Sequence, residues 1–157
     1  IFSSVICHAL HFEKLGRRFW LFDTWKGIPT QGLVDEELHT ANRYNRNYHS
    51  KDIYAGVKKN FSAFPNCELV QGMLPDTLDM ARIDKIAYLS VDLNSASFEK
   101  QCIQRLWPKL SSGALVVIDD YNFTVCRLQQ QMWDTFAAER NLMVAALPTG
   151  QGILIKP

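Results

Sequence analysis

Two apolar runs, each stopped abruptly by acid, constrain this chain more than any other feature. Ile86-Ala-Tyr-Leu-Ser-Val leads into Asp92, and Ala114-Leu-Val-Val-Ile leads into the adjacent pair Asp119 and Asp120. Runs this short, rich in Val, Ile and Leu, read as strands buried on both faces. Between them, Phe98, Cys102, Ile103, Leu106 and Trp107 recur at helical spacing. A crossover helix therefore joins the two strands, and they run parallel. Parallel strands bring their carboxyl ends to one edge of a sheet, where open α/β folds take their ligands. Three carboxylates gathered at such an edge suggest a divalent cation held by oxygen.

The rest of the chain repeats this alternation. Phe2, Val5, Ile6, Ala9, Leu10 and Phe12 form a helical face that ends at Leu15-Gly16. Phe19-Trp-Leu-Phe runs into Asp23 as a third strand ending in an acid. Residues 24–52 are polar and aromatic, with Gly27, Pro29 and Gly32 near the start. A loop of that length in a compact domain reads as a lid or binding loop. Helix over 53–64, strand over 67–71, a turn at Gly72 and a short helix opening at Pro75 come next. Ser111-Ser-Gly113 closes the crossover helix, and a long helix runs from Val125 to about Asn141. Strands over 142–147 and 153–155 flank Pro148-Thr-Gly-Gln-Gly152, an antiparallel hairpin. The whole is one doubly wound α/β domain, mostly parallel, with a terminal antiparallel hairpin.

Composition excludes more than it assigns. The net charge is +1, with no basic run for nucleic acid and no acidic tail. No apolar stretch is long enough to span a membrane. Cys7, Cys67, Cys102 and Cys126 lack metal or redox spacing and read as reduced thiols in a cytoplasmic core.

Several segments carry a resemblance. Phe22-Asp-Thr-Trp-Lys-Gly-Ile-Pro29 resembles the FDSFEGLP-like segment of the macrocin O-methyltransferase-like family. Val70-Gln-Gly-Met-Leu-Pro-Asp-Thr-Leu78 is similar to its V-x-G-x-(F/L)-x-D-T-L segment. Trp107-Pro-Lys-Leu-Ser-Ser-Gly113 and Val117-Ile-Asp-Asp-Tyr121 resemble its segment ending in D-D-Y. The matches run in order along nearly the whole chain. The resemblance implies a class I, Rossmann-like methyltransferase sheet, S-adenosylmethionine as donor, Mg²⁺, and a hydroxyl on a small molecule as acceptor, often a sugar of a natural product. It places Asp23 on the ribose hydroxyls, Gly72 and Met73 beside the adenine, and Asp92, Asp119 and Asp120 on the metal.

Two departures qualify what it implies. The family's usual base is the second acid of an Asp-Gly-Asp pattern, and here Asp92-Leu93-Asn94 puts a carboxamide there. An amide accepts no proton at neutral pH, though it can orient a hydroxyl or ligate a metal. Asp92 and Asn94 are the expected catalytic pair, with His39 or His49 of the long loop as substitutes for the base. The other departure is that no strand with a Gly-rich turn precedes Ile1, so the first strand and the cofactor's glycine loop are expected to be missing. A missing central strand leaves unpaired sheet edges, through which copies of the chain could pair. The alternative reading is a methyltransferase-like binding module without chemistry. A Mg²⁺-dependent phosphohydrolase lacks its local D-x-D signal at Asp23-Thr-Trp. Trp20, Trp25, Tyr44, Tyr48 and Tyr54 are candidates for stacking on the acceptor.

Overall fold

A computed structural model describes residues 2–46 and 53–157. Strands β1 (Phe19–Asp23) and β2 (Cys67–Gln71) pair in parallel. A second sheet has the order β3 (Ile86–Val91), β4 (Leu110–Ile118), β6 (Gly152–Ile155), β5 (Ala145–Ala146). In it β3 and β4 are parallel, while β6 runs antiparallel to both β4 and β5. The helices are α1 (Phe2–Ala9), α2 (Asp35–Asn45), α3 (Ile53–Asn60), α4 (Ala96–Leu106) and α5 (Arg127–Ala138).

The parallel pairs and the terminal hairpin match the sequence reading, but the sheet is divided. Among the described residues no strand lies between β1 and β3, so each keeps one unpaired edge. Side chains span the division instead. Phe22 of β1 packs with Ile86 and Leu89 of β3 against Leu78, Cys102 and Leu106. For the same reason β3 is not buried on both faces as its composition suggested: Ala87 and Ser90 are exposed.

The main core lies between the second sheet and α4 with α5. Ile103, Val116, Ile118, Trp133 and Leu154 are essentially inaccessible there. The smaller sheet has its own cluster, Cys7, Phe12 and Phe64 with Phe19, Phe61 and Cys67. All four cysteines are free thiols, and the sulfurs of Cys7 and Cys67 lie 3.5 Å apart.

Four local expectations shift. The long polar stretch contains a helix, α2, because Glu37 bonds the start of α4, Ala41 is buried and Asn45 bonds Ile28 earlier in the same stretch; residues 47–52 lie outside the described residues. Ser111 to Gly113 belong to a bulge inside β4, where Gly113 takes φ +77 and its N–H donates to the Lys156 carbonyl. The strand expected over 142–147 shrinks to two residues, since only Ala145 and Ala146 pair with β6. The apolar face read over Phe2 to Phe12 reaches the core only at Phe12: Phe2, Val5 and Leu10 are exposed, and the buried residue of α1 is Cys7 on another face. Among the described residues no helix is long and apolar enough to cross a membrane.

Ile103 is 1% exposed at the centre of the α4 contact. Truncation by Ile103→Ala is expected to cost about 2–5 kcal/mol, read as a lower urea midpoint with an unchanged slope.

Candidate active site

The carboxyl ends of β1 and β3 face each other across a cleft. Phe22 and Asp23 line it from β1, Gly72 and Leu74 from the turn after β2, and Asp92 and Asn94 from the turn after β3. Four residues singled out in the sequence, Asp23, Gly72, Asp92 and Asn94, therefore meet in one place. Met73 is absent from the lining; its carbonyl accepts from the N–H and hydroxyl of Thr77, both at 3.1 Å.

Asp23 closes a tight turn, its Oδ1 accepting from the Trp25 N–H at 2.7 Å. That bond holds Trp25 at φ +49, a conformation that bulky side chains rarely adopt. The carboxylate itself is exposed, and its Oδ2 has no hydrogen-bond partner among the described residues. The Trp25 ring is spent on Tyr54, with ring centroids 4.8 Å apart. Gly72 has φ +151 and donates its N–H to the Asp23 carbonyl at 3.0 Å. A Cβ there would collide with Thr77 Cγ2, so only glycine keeps this turn closed against the end of β1.

Register sets the other wall. Val91 pairs with Ile118, and the Asp119 N–H donates to the Val91 carbonyl at 3.0 Å. Asp92 and Asp119 therefore leave the sheet side by side. Asp92 keeps contact with solvent through the cleft, yet the protein packed around its carboxyl pushes its pKa up to about 6. Asp119 and Asp120 add to that rise, Asp23 adds less, and the 3.0 Å hydrogen bond from Asn94 opposes it. Burial and Asp119 likewise raise Asp120. Asp119 Oδ1 accepts from Gln151 Nε2 at 2.9 Å, which ties the hairpin turn to the site. The acids thus share one electrostatic neighbourhood. Among the described residues, however, no three His, Cys, Asp or Glu side chains converge as a metal-binding group. Asn94 occupies the left-handed region at φ +55, where asparagine is tolerated better than most residues. His39 sits exposed on α2, and His49 lies outside the described residues.

Sequence reading missed a buried acid behind this turn. Glu99 is 2% exposed; its Oε2 accepts from Trp133 Nε1 at 2.6 Å and its Oε1 from the Leu93 N–H at 3.4 Å. Burial pushes Glu99 up to about 7, with those two hydrogen bonds opposing. A signal was present: Glu99, Ile103 and Leu106 share one face of α4, and an acid on an apolar face calls for a partner.

An α/β sheet with a terminal antiparallel hairpin and a cleft at its carboxyl edge is the architecture of the class I methyltransferases. The O-methyltransferase NovP superposes over 98% of this chain and 65% of its own, with a TM-score of 0.79 at 22% identity. The calicheamicin methyltransferase CalS11 covers the same shares, with a TM-score of 0.76 at 19% identity. In sequence, residues 5–147 match the macrocin O-methyltransferase (TylF) family profile, and the chain belongs to that family. The mycinamicin III 3''-O-methyltransferase of Micromonospora griseorubida is 27% identical over 135 residues, which is 81% of this chain and 52% of that protein. The 8-demethyl-8-(2,3-dimethoxy-alpha-L-rhamnosyl)-tetracenomycin-C 4'-O-methyltransferase of Streptomyces olivaceus is 28% identical over 119 residues, 71% of this chain and 44% of that protein. This chain spans about half the length of these curated relatives.

The Glu99 environment makes a pH prediction. An acid raised by the fold binds its proton more tightly folded than unfolded, so it lowers stability as pH rises from its ordinary value toward its folded one. Stability should therefore fall between about pH 4.5 and about pH 7. Glu99→Gln should flatten that slope in urea melts taken across the window, relative to the unaltered chain.

Proposed function

We propose that this chain is the methyl-transferring part of an S-adenosylmethionine-dependent O-methyltransferase whose acceptor is a hydroxyl on a small natural product. The observation that carries the reading is the cleft itself, with Asp23 and Gly72 on one wall and Asp92 and Asn94 on the other. Membership of the family and the names of its relatives, which specify O-methylation of mycinamicin III and of a rhamnosyl-bearing tetracenomycin, support the acceptor class.

The residues present fit the nucleoside part of the donor. Asp23 offers an exposed carboxylate at a strand end, the position from which an acid can accept from two vicinal hydroxyls. Gly72 leaves bare backbone beside it. When bound, the donor supplies an electrophilic methyl group on a sulfonium. Transfer forms a bond from the acceptor oxygen to that carbon and breaks the carbon–sulfur bond, and the hydroxyl proton must leave. Of the two groups on the β3 wall only Asp92 can take a proton, since Asn94 is an amide. Asn94 Nδ2 holds Asp92 Oδ1, which leaves Oδ2 to face the acceptor. The proton acceptor in this reading is thus two residues earlier than the family pattern places it.

Magnesium has weaker support. Mutual repulsion among Asp92, Asp119 and Asp120 would favour a cation, but the side chains as placed do not converge on one. A second reading, a binding module without transfer, is favoured by the amide at position 94.

Equilibrium dialysis of the chain against labelled S-adenosylmethionine tests the proposal. Saturable binding is expected, weakened about ten- to a hundredfold by Asp23→Ala, the range of a lost charge-assisted hydrogen bond. Absence of binding, or binding indifferent to Asp23→Ala, would count against it. Binding with no label transfer to any hydroxyl acceptor would favour the module.

A further inference from the structure

Polar contacts tie α2 to Ile28 of the cleft lining and to the start of α4. No residue of α2 belongs to any of the three apolar clusters. Glu37, Ala41 and Asn45 follow at four-residue spacing and so share one face. Ala41, 1% exposed, fills the middle of that face with a single methyl group. At one end Asn45 grips Ile28 of the cleft lining. Its Oδ1 accepts from the Ile28 N–H at 2.8 Å, and its Nδ2 donates to the Ile28 carbonyl at 2.9 Å.

At the other end Glu37, 7% exposed, reaches the start of α4. Its Oε1 accepts from the Ala96 N–H at 2.7 Å, and its Oε2 from the Ser95 hydroxyl at 3.4 Å. A helix leaves its first N–H groups without partners inside the helix. Among those N–H groups, Ser95 Oγ accepts from that of Phe98, at 3.5 Å. Ala96 is completed by a residue 59 positions earlier in the chain. The carboxylate is also favoured there by the helix dipole. Ser95 and Ala96 directly follow Asn94. Glu99 secures the same turn from the core side through Leu93, so two acids, one fixed and one carried on α2, hold the residues that face the acceptor.

We infer that Glu37 is a positioning residue: it couples α2, acting as a lid, to the turn from Asp92 to Ala96, so that lid closure and the placement of Asn94 are one state. A helix held by hydrogen bonds rather than apolar burial opens at low cost. Its opening withdraws the cap from α4 and the clamp from Ile28 together. This deepens the reading of residues 92–94 as the reacting end of the cleft, and its test reads hydrogen exchange, independently of any methyl transfer.

Amide exchange in the whole chain, followed by NMR, decides it. Glu37→Ala should speed exchange at Ala96 by about ten- to a hundredfold, the range of a hydrogen bond to a charged group. The Ile28 amide, gripped at the far end of α2, should speed up with it, while the β4 core amides hold. Glu37→Gln keeps an acceptor oxygen and should keep Ala96 protected. Asn45→Ala reads the same coupling from the other end and should expose Ala96 as well as Ile28. Unchanged Ala96 exchange in Glu37→Ala overturns the cap. Ala96 accelerated with Ile28 unaffected overturns the lid coupling. Equal acceleration throughout the β4 core would make Glu37 a general stability residue and overturn the inference too. Failure to bind S-adenosylmethionine with Ala96 and Ile28 still opening together would remove the methyltransferase reading and leave the lid.

Discussion

The register of β3 against β4 is the constraint on which the site depends. Val91 opposite Ile118 makes both strands end at one level, so Asp92 and Asp119 emerge as neighbours with Asp120 next in line. The ladder that imposes this is buried under Ile103 and Trp133, and a slip of one residue would turn the core face of β4 outward. Apolar packing thus secures an arrangement of like charges that the charges alone would not adopt. The fold holds those acids together against their own repulsion, and this is how packing energy becomes site chemistry.

Around that register the chain places acids in graded depth. Asp23 is exposed, with Oδ1 held by the Trp25 N–H. Asp92 opens to the cleft but is crowded. Glu99 and Glu37 are buried, and both act on the backbone of the turn between β3 and α4. Burying a carboxylate is costly unless its oxygens are satisfied, and both acids meet that cost with N–H and O–H donors from this one turn and from Trp133. The turn is therefore over-determined, which is how Asn94 is kept at a positive φ beside the cleft.

Much of this was legible in the residues. The strands Phe19–Asp23 and Cys67–Gln71 fall where the pattern put them, because short runs with apolar centres bounded by polar residues declare a strand even when it is only half-buried. The pairing of strand-end acids followed from the same logic. The helix α2 did not show itself, since its inward face reads Glu37, Ala41, Asn45 rather than as an apolar stripe, and periodicity senses only hydrophobic contact. Glu99 was hidden by its neighbours, one acid among Phe98, Cys102 and Ile103, where attention goes to the apolar positions. That Phe22, Ile86 and Leu89 would pack across the divided sheet depends on tertiary placement that no local pattern encodes.

Strand register buries Asp92 and crowds it among acids at the mouth of the cleft. The carboxyl-carbon resonance of Asp92, followed against pH in chelator-containing buffer, measures this directly. A midpoint near 6 is expected, moving down in Asp119→Asn while burial still holds it above the ordinary carboxylate range. A midpoint already near 3.8, or one that Asp119→Asn leaves in place, would contradict this.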